Sequence, residues 1–347
     1  MFLGKLAIGV ILSIYIALRG YRKKSLDLSG SLTALLVGFI SICGGLSWTL
    51  ILLFFFVTCS ALTKYKADIK KKREDGYKEG GQRNFEQVIA NGFFPTFICL
   101  LYQIVRVFQF ENFEAMYLQS QKTNTPMEFS RIEVHRYLYG NFYYFNSKDY
   151  PLKTFLLVCY LCCYIANTSD TWSSEYGILS KKEPIFILNF KQTLHGVNGG
   201  VSSSGYLASL VCGISYSVLC LFMICLDFFY ARFIGFNEIG TMLVGGNETS
   251  QLPLLTQLFT VLSYQYPIVI LCIFSALFGT TLDSVLGAIF EYSGYDEEKK
   301  MVVKKPGGAK VKHISGFGIL NGNQVNFLSG CITSLVCATI SLWLFNF

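Results

Sequence analysis

The chain has 347 residues, 52% of them hydrophobic and only 15% charged, and its mean hydropathy is +0.44; soluble domains carry about a quarter charged residues, so an ordinary soluble domain is excluded. The net charge of +7 would suit nucleic acid, but 21 of the 29 Lys and Arg fall in loops on one side of the expected membrane spans. That asymmetry points to a membrane face and not to a nucleic-acid partner. Only three histidines are present, which argues against a histidine metal cage.

Apolar runs close to the ~20 residues needed to cross a hydrocarbon core recur along the chain. Eight spans are expected, at 2–18, 28–45, 47–63, 86–105, 152–168, 204–226, 266–290 and 325–345. The fold class is therefore an all-α, polytopic transmembrane helical bundle, a single integral membrane domain over 1–347. The first run lacks a basic leader and a small-residue cleavage site, and is read as a span and not as a cleaved signal. Loops 19–27, 64–85, 169–203 and 291–324 share the basic, cytoplasmic face. The connection 106–151, rich in aromatics at Phe142 to Phe145, and the sequon Asn247-Glu248-Thr249 fall on the other, lumenal face. An endomembrane such as the endoplasmic reticulum is favoured over the plasma membrane.

Polar residues gather near span ends on the basic face, in chain order as follows. In 62–87 the run Lys70 to Lys72 suits contact with anionic lipid, whereas Gly80 and Gly81 before Gln82, Arg83 and Asn84 suit a bound ligand. At 163–184, Asp170 and Glu175 lie five apart, about 140° around a continuous helix. A break near Thr171 to Ser174 would let them converge. Carboxylates at membrane depth are expensive and usually functional. In 190–210, Asn198-Gly199-Gly200 precedes Ser202 to Ser204 and a long helix, with Lys191 and His195 upstream. Glycines permit close approach of an anion to a helix start, although Gly/Ser-rich loops also serve simply as caps. The pattern is not a P-loop.

In 279–296, Asp283 stands inside an otherwise apolar helix with Thr280, Thr281 and Ser284 beside it and Glu291 two turns on. Gly279, Gly287 and Ala288 would equally serve as a packing seam. In 310–327, His313, Asn321, Asn323 and Asn326 lead into the last span. Magnesium is typically held by one or two carboxylates plus substrate phosphates, and Lys, Arg and helix starts then hold the phosphate oxygens. Asp170, Glu175 and Asp283 are thus the expected Mg2+ ligands and catalytic acids. Arg83, Asn84, Lys191, Asn198, Gly199, Gly200, Ser202, His313, Asn323 and Asn326 are the expected substrate and phosphate contacts. The residues alone read as phosphoryl or nucleotidyl transfer to a lipid.

The segments SDTWSSEYGILSK, NGGVS, LDSVLGA and HISGFGILNGNQVN, with LTKYKADIKKK and YKEGGQRNF near the N-terminus, resemble the signature stretches of the transmembrane protein 19 family along nearly the whole chain. That family includes plant phytyl-phosphate kinase and is distantly similar to CTP-using polyprenol kinases and phosphatidate cytidylyltransferases. The matched positions are Asp170, Trp172, Ser174, Glu175, Gly177, Asn198, Gly199, Gly200, Asp283, Ser284, Gly287, His313, Gly316 and Asn326. Ile185 stands where relatives usually carry Arg, Thr193 to Gly196 lacks the usual proline, and Asn321-Gly322-Asn323 replaces an Asp-Asn-Asn run. The resemblance implies a magnesium-dependent kinase that uses a nucleoside triphosphate, CTP or ATP, and acts on an isoprenoid phosphate presented by membrane lipid. Two other classes compete with it. An ion-coupled transporter of a small solute would also use buried acids, but no inverted repeat is visible. A non-catalytic membrane protein would have no use for acids at the rim.

Overall fold

The computed structural model describes residues 2–71, 81–123, 144–148, 150–233, 253–307 and 310–346. Ten helices carry the described chain: α1 (Phe2–Arg22), α2 (Leu28–Gly44), α3 (Leu46–Lys64), α4 (Ala67–Lys71), α5 (Phe85–Thr123), α6 (Pro151–Gly177), α7 (Ser203–Phe233), α8 (Leu254–Gln265), α9 (Pro267–Phe290) and α10 (Gly322–Leu344). Six stretches, at 46–64, 85–106, 151–177, 203–230, 254–290 and 322–344, are long and apolar enough to cross a membrane, and α2 is a shorter apolar helix. The protein is a helical, multi-pass membrane protein.

Local chemistry sets the helix ends. The Asp27 carboxylate accepts from the Gly30 N–H at 2.7 Å and so caps α2. At the start of α5, the Gln87 N–H donates to Asn84 Oδ1 at 3.1 Å and the Asn84 N–H donates to Gln87 Oε1 at 3.2 Å, a reciprocal capping box. Asn321 and Gln324 repeat that box on α10. Prolines, which lack an N–H, open α6 and α9. Pro267 thereby separates α9 from α8, a helix at 254–265 that falls between the expected spans 204–226 and 266–290. The helix α5 likewise runs on to Thr123, well past the expected end of its span.

The central helix is α6, packed against α3, α5, α7, α9 and α10. Its spanning stretch is 89% buried, far above the other five. Protein and not lipid surrounds it, which lets this helix carry Asn167, Thr168, Ser169 and Asp170 at membrane depth. The helices α1 and α2 lie outside α3 and α5. Within the bundle, Tyr160 donates to the Trp48 carbonyl at 2.8 Å, its ring packing edge-on to the indole.

Two small sheets modify the all-α expectation. Strand β1 (Ile185–Phe186) pairs antiparallel with β2 (Gly200–Val201). Strand β3 (Ser293–Asp296) is flanked by β4 (Met301–Val303) and β5 (Val311–Ser315), antiparallel to both. Both sheets lie in the loops of the basic end, where the chain leaves the helices and must satisfy its backbone groups locally.

The four basic loops meet at one end of the bundle. Arg83 pairs with Leu26, the Lys64 ammonium donates to the Lys23 carbonyl, Lys70 reaches Glu175, and the Asn198 N–H donates to Ser293 Oγ at 3.0 Å. Asn247 lies outside the described residues.

Candidate functional site

The acids Asp170 on α6 and Asp283 on α9 are neighbours, close enough for their carboxyl groups to act on each other. Ser329 of α10 donates to Asp283 Oδ2 at 2.7 Å. The Asn326 amide, turned to present its nitrogen, reaches the same oxygen at 3.3 Å and the Gly322 carbonyl at 3.0 Å. Three helices therefore converge on one carboxylate pair. Two such charges repel unless something positive lies between or beside them.

Glu291, the residue just past α9, is 8% exposed. Side chains built at Gly287 and Gly322 would come within 3.3 and 3.4 Å of its carboxylate oxygens, so both glycines make room for it. Lys304, after β4, is the cation that acts on Asp170, Asp283 and Glu291 alike. Burial raises the Glu291 carboxyl above its ordinary value; Lys304 works against that shift and Asp283 adds to it. Gly316 closes this wall: at φ +79 its position leaves no space for a Cβ, which would overlap the Glu291 carbonyl at 1.6 Å.

The glycine loop packs beside the pair. Asn198 donates through Nδ2 to the Tyr292 carbonyl at 3.2 Å. Gly199, at φ +82, lies so close to α9 that an added Cβ would sit 2.4 Å from Ala288 Cβ and 3.0 Å from the Ser284 carbonyl. Gly200 is in β2 against Phe186. Ser202 accepts from the Gly205 N–H at 3.1 Å and caps α7.

Other expected contacts lie elsewhere. Lys191 is exposed, and its N–H donates to Asn189 Oδ1. His313 bonds the Gly316 carbonyl at 2.8 Å and leans on Tyr292. Asn323 reaches Glu86 at 3.5 Å. Asn84 is spent on capping α5, while Arg83 donates to Ser60 Oγ at 3.0 Å.

Two expectations are corrected. The helix α6 runs unbroken through 171–174 to Gly177, so Glu175 stays about 140° around the helix from Asp170 and does not join the pair. Instead it forms an ion pair with Lys70, whose ammonium also donates to the Leu62 carbonyl at 2.6 Å. Lys70 is therefore not a lipid-facing residue: its side chain is 1% exposed, because the turn through Lys66 at φ +51 folds α4 back onto the bundle. Ser329 and Lys304 were not singled out from the sequence, and Glu291 was noted beside Asp283 without a role. Ser329 stands three residues after Asn326, and Glu291 follows Asp283 and Gly287 at successive four-residue steps, a helical spacing that marks a shared side.

Among the described residues no three His, Cys, Asp or Glu side chains form a group able to hold a metal. The donor set that remains, Asp170 and Asp283 with Asp283 Oδ2 bonded to Ser329, fits Mg2+ only in the mode where substrate phosphates complete the coordination.

The family model described as integral membrane protein DUF92 matches residues 11–334. Protein PGR of Arabidopsis thaliana is 32% identical over 341 residues, 98% of each chain. An uncharacterized membrane protein of Methanocaldococcus jannaschii, MJ0933, is 23% identical over 209 residues, 60% of this chain and 66% of that protein. No solved structure matches. The chain belongs to the DUF92 family of integral membrane proteins.

Proposed function

We propose that the protein is a membrane-bound phosphotransferase that uses a nucleoside triphosphate, CTP or ATP, to convert an isoprenoid monophosphate into its diphosphate. The observation that carries this reading is the Asp170 and Asp283 pair, built from separate helices at the basic end with Lys304 and the glycine loop alongside. In this reading Asp170 and Asp283 would hold magnesium, which would supply positive charge against the phosphate oxygens. Ser329 and Asn326 fix the orientation of Asp283, and Lys304 supplies charge to the phosphates. An anionic oxygen of the monophosphate attacks the γ-phosphorus, the bond from that phosphorus to the bridging β-oxygen breaks, and the nucleoside diphosphate leaves. The attacking oxygen already lacks a proton, so positioning and charge suffice without a general base. An endomembrane such as the endoplasmic reticulum suits such a lipid substrate.

The test is incubation of purified protein with magnesium, CTP or ATP, and a panel of prenyl monophosphates. Formation of prenyl diphosphate that disappears in Asp170→Asn and Asp283→Asn supports the reading; folded wild-type protein that makes none overturns it. A second reading, ion-coupled transport, has one observation in its favour. Ser169, Ser209 and Thr280 bond one another and the Ala276 carbonyl inside the bundle, directly before Asp170. Cation-dependent solute uptake into proteoliposomes would select it.

A further inference from the structure

An elongated cavity runs between α1, α2, α3 and α5, on the side of α6 away from Asp283. Its walls are apolar: Val37, Gly38 and Ile42 from α2, Leu52 and Phe56 from α3, and Gly92 from α5. At the basic end it reaches Leu26, Arg83 and Gln87, and at the far end Ile42 and Thr49. Ile42 is fourteen residues into α2, so the cavity follows the helices for roughly 20 Å, most of a hydrocarbon core about 30 Å thick. It is partly open to the surroundings. Tyr164 of α6, 0% exposed, turns into it, and its hydroxyl makes no hydrogen bond.

A long apolar slot with a cation at one end has the shape of an amphiphile with a single chain and an anionic head. The guanidinium of Arg83 has five N–H donors, and Ser60 accepts one. A two-chain phospholipid would need a second groove beside the first. The cavity connects to the helix that carries Asp170: the Asn91 carbonyl, on the cavity wall, accepts from Asn167 Nδ2 at 3.2 Å, and Asn167 lies one turn before Asp170 on α6.

We propose that this cavity receives the hydrocarbon chain of the lipid monophosphate, with Arg83 drawing the anionic head to the basic end. The inference rests on the kinase reading for the identity of the lipid, but its location rests on the cavity alone. It places chain-length selection on the walls of α2 and α3, with Gly38 at the middle of α2 as the position that keeps the slot open. A Cβ at Gly38 would meet nothing closer than Ser13 Oγ at 3.9 Å, so a larger side chain there enters empty space instead of straining the backbone.

The experiment uses the full chain in nanodiscs and a geranylgeranyl monophosphate carrying a diazirine at the chain end, with cross-links mapped by mass spectrometry and turnover measured in parallel. The expected result is labelling within residues 34–56, displaced by unlabelled geranylgeranyl monophosphate and not by phosphatidic acid. Gly38→Phe, or Ala34→Phe one turn away should that variant misfold, is expected to weaken binding by about tenfold or more, the scale on which a crowded hydrophobic pocket discriminates. Labelling elsewhere, equal displacement by phosphatidic acid, no saturable labelling, or unchanged affinity in both folded variants overturns the inference. Turnover with labelling elsewhere would leave the kinase reading standing without this cavity. Labelling as expected without turnover would keep the cavity and remove the kinase.

Discussion

Lys70 and Glu175, 105 residues apart, form an ion pair at the basic end of the bundle, with Lys70 1% and Glu175 15% exposed. This contact fastens the basic loop to the end of the central helix. Removing one partner leaves a charge in a place that hydrates it poorly, which costs about 3 kcal/mol for buried pairs. Lys70→Ala should therefore lower thermal stability in detergent clearly, and the double change Lys70→Met with Glu175→Leu should recover much of the loss. Lys71→Ala, at an exposed position, should leave stability within about 0.5 kcal/mol. A Lys70→Ala protein as stable as the wild type would show that the pair contributes nothing.

Gly199 and Ala288 form a close backbone contact that depends on the missing side chain. Gly199→Ala should destabilise by at least about 2 kcal/mol, combining left-handed backbone strain with overpacking. Adding Ala288→Gly removes the atom in the way and should return part of that loss, a coupling expected only for residues in contact. Additive effects of the two changes in a thermal unfolding series would refute the packing argument. Because this loop is fitted to α9, loss of activity in a Gly199 variant reports first on that fit and does not by itself establish a phosphate cradle.

Ser329 donates to Asp283 Oδ2. Under the kinase reading, Ser329→Ala should raise the magnesium concentration needed for half-maximal turnover by roughly 10-fold to 100-fold, as loss of an outer hydrogen bond to a metal ligand does. Turnover at saturating magnesium should change much less. An equal fall at all magnesium concentrations would assign Ser329 to something other than orienting a ligand.

Lys71, Phe190 and Phe317 belong to three different basic loops, and each is exposed, Phe190 by 80% and Phe317 by 78%. Single cysteines at these positions, in a background whose exposed Cys43 is replaced, should react with an impermeant maleimide from the same side of sealed vesicles. Reaction of any one from the opposite side would contradict the convergence of these loops.

Much of the architecture was legible because membrane insertion is a one-dimensional selection: about twenty apolar residues announce a span, and lysines concentrate in the loops at one end of the spans. The helix starts rest on an equally local rule, since Asp27, Asn84 and Asn321 satisfy neighbouring N–H groups within a single turn, although the sequence reading gave Asn84 to substrate. The acids Asp170 and Asp283 stood out because a lone carboxylate in an apolar run is costly unless the fold answers it. Which groups answer them is a matter of distances between segments far apart in the chain, and those only the tertiary structure decided. It set Asp170 beside Asp283 and bonded Asp283 to Ser329, gave Glu175 to Lys70, and carried α6 without a break through the polar stretch where a turn was expected. It also opened the slot beside Gly38, whose apolar walls look in sequence like any other lipid-facing or packed surface. A hydrophobic residue in a membrane protein carries no mark of whether it faces lipid, a neighbouring helix or an internal cavity; helix packing alone separates the three.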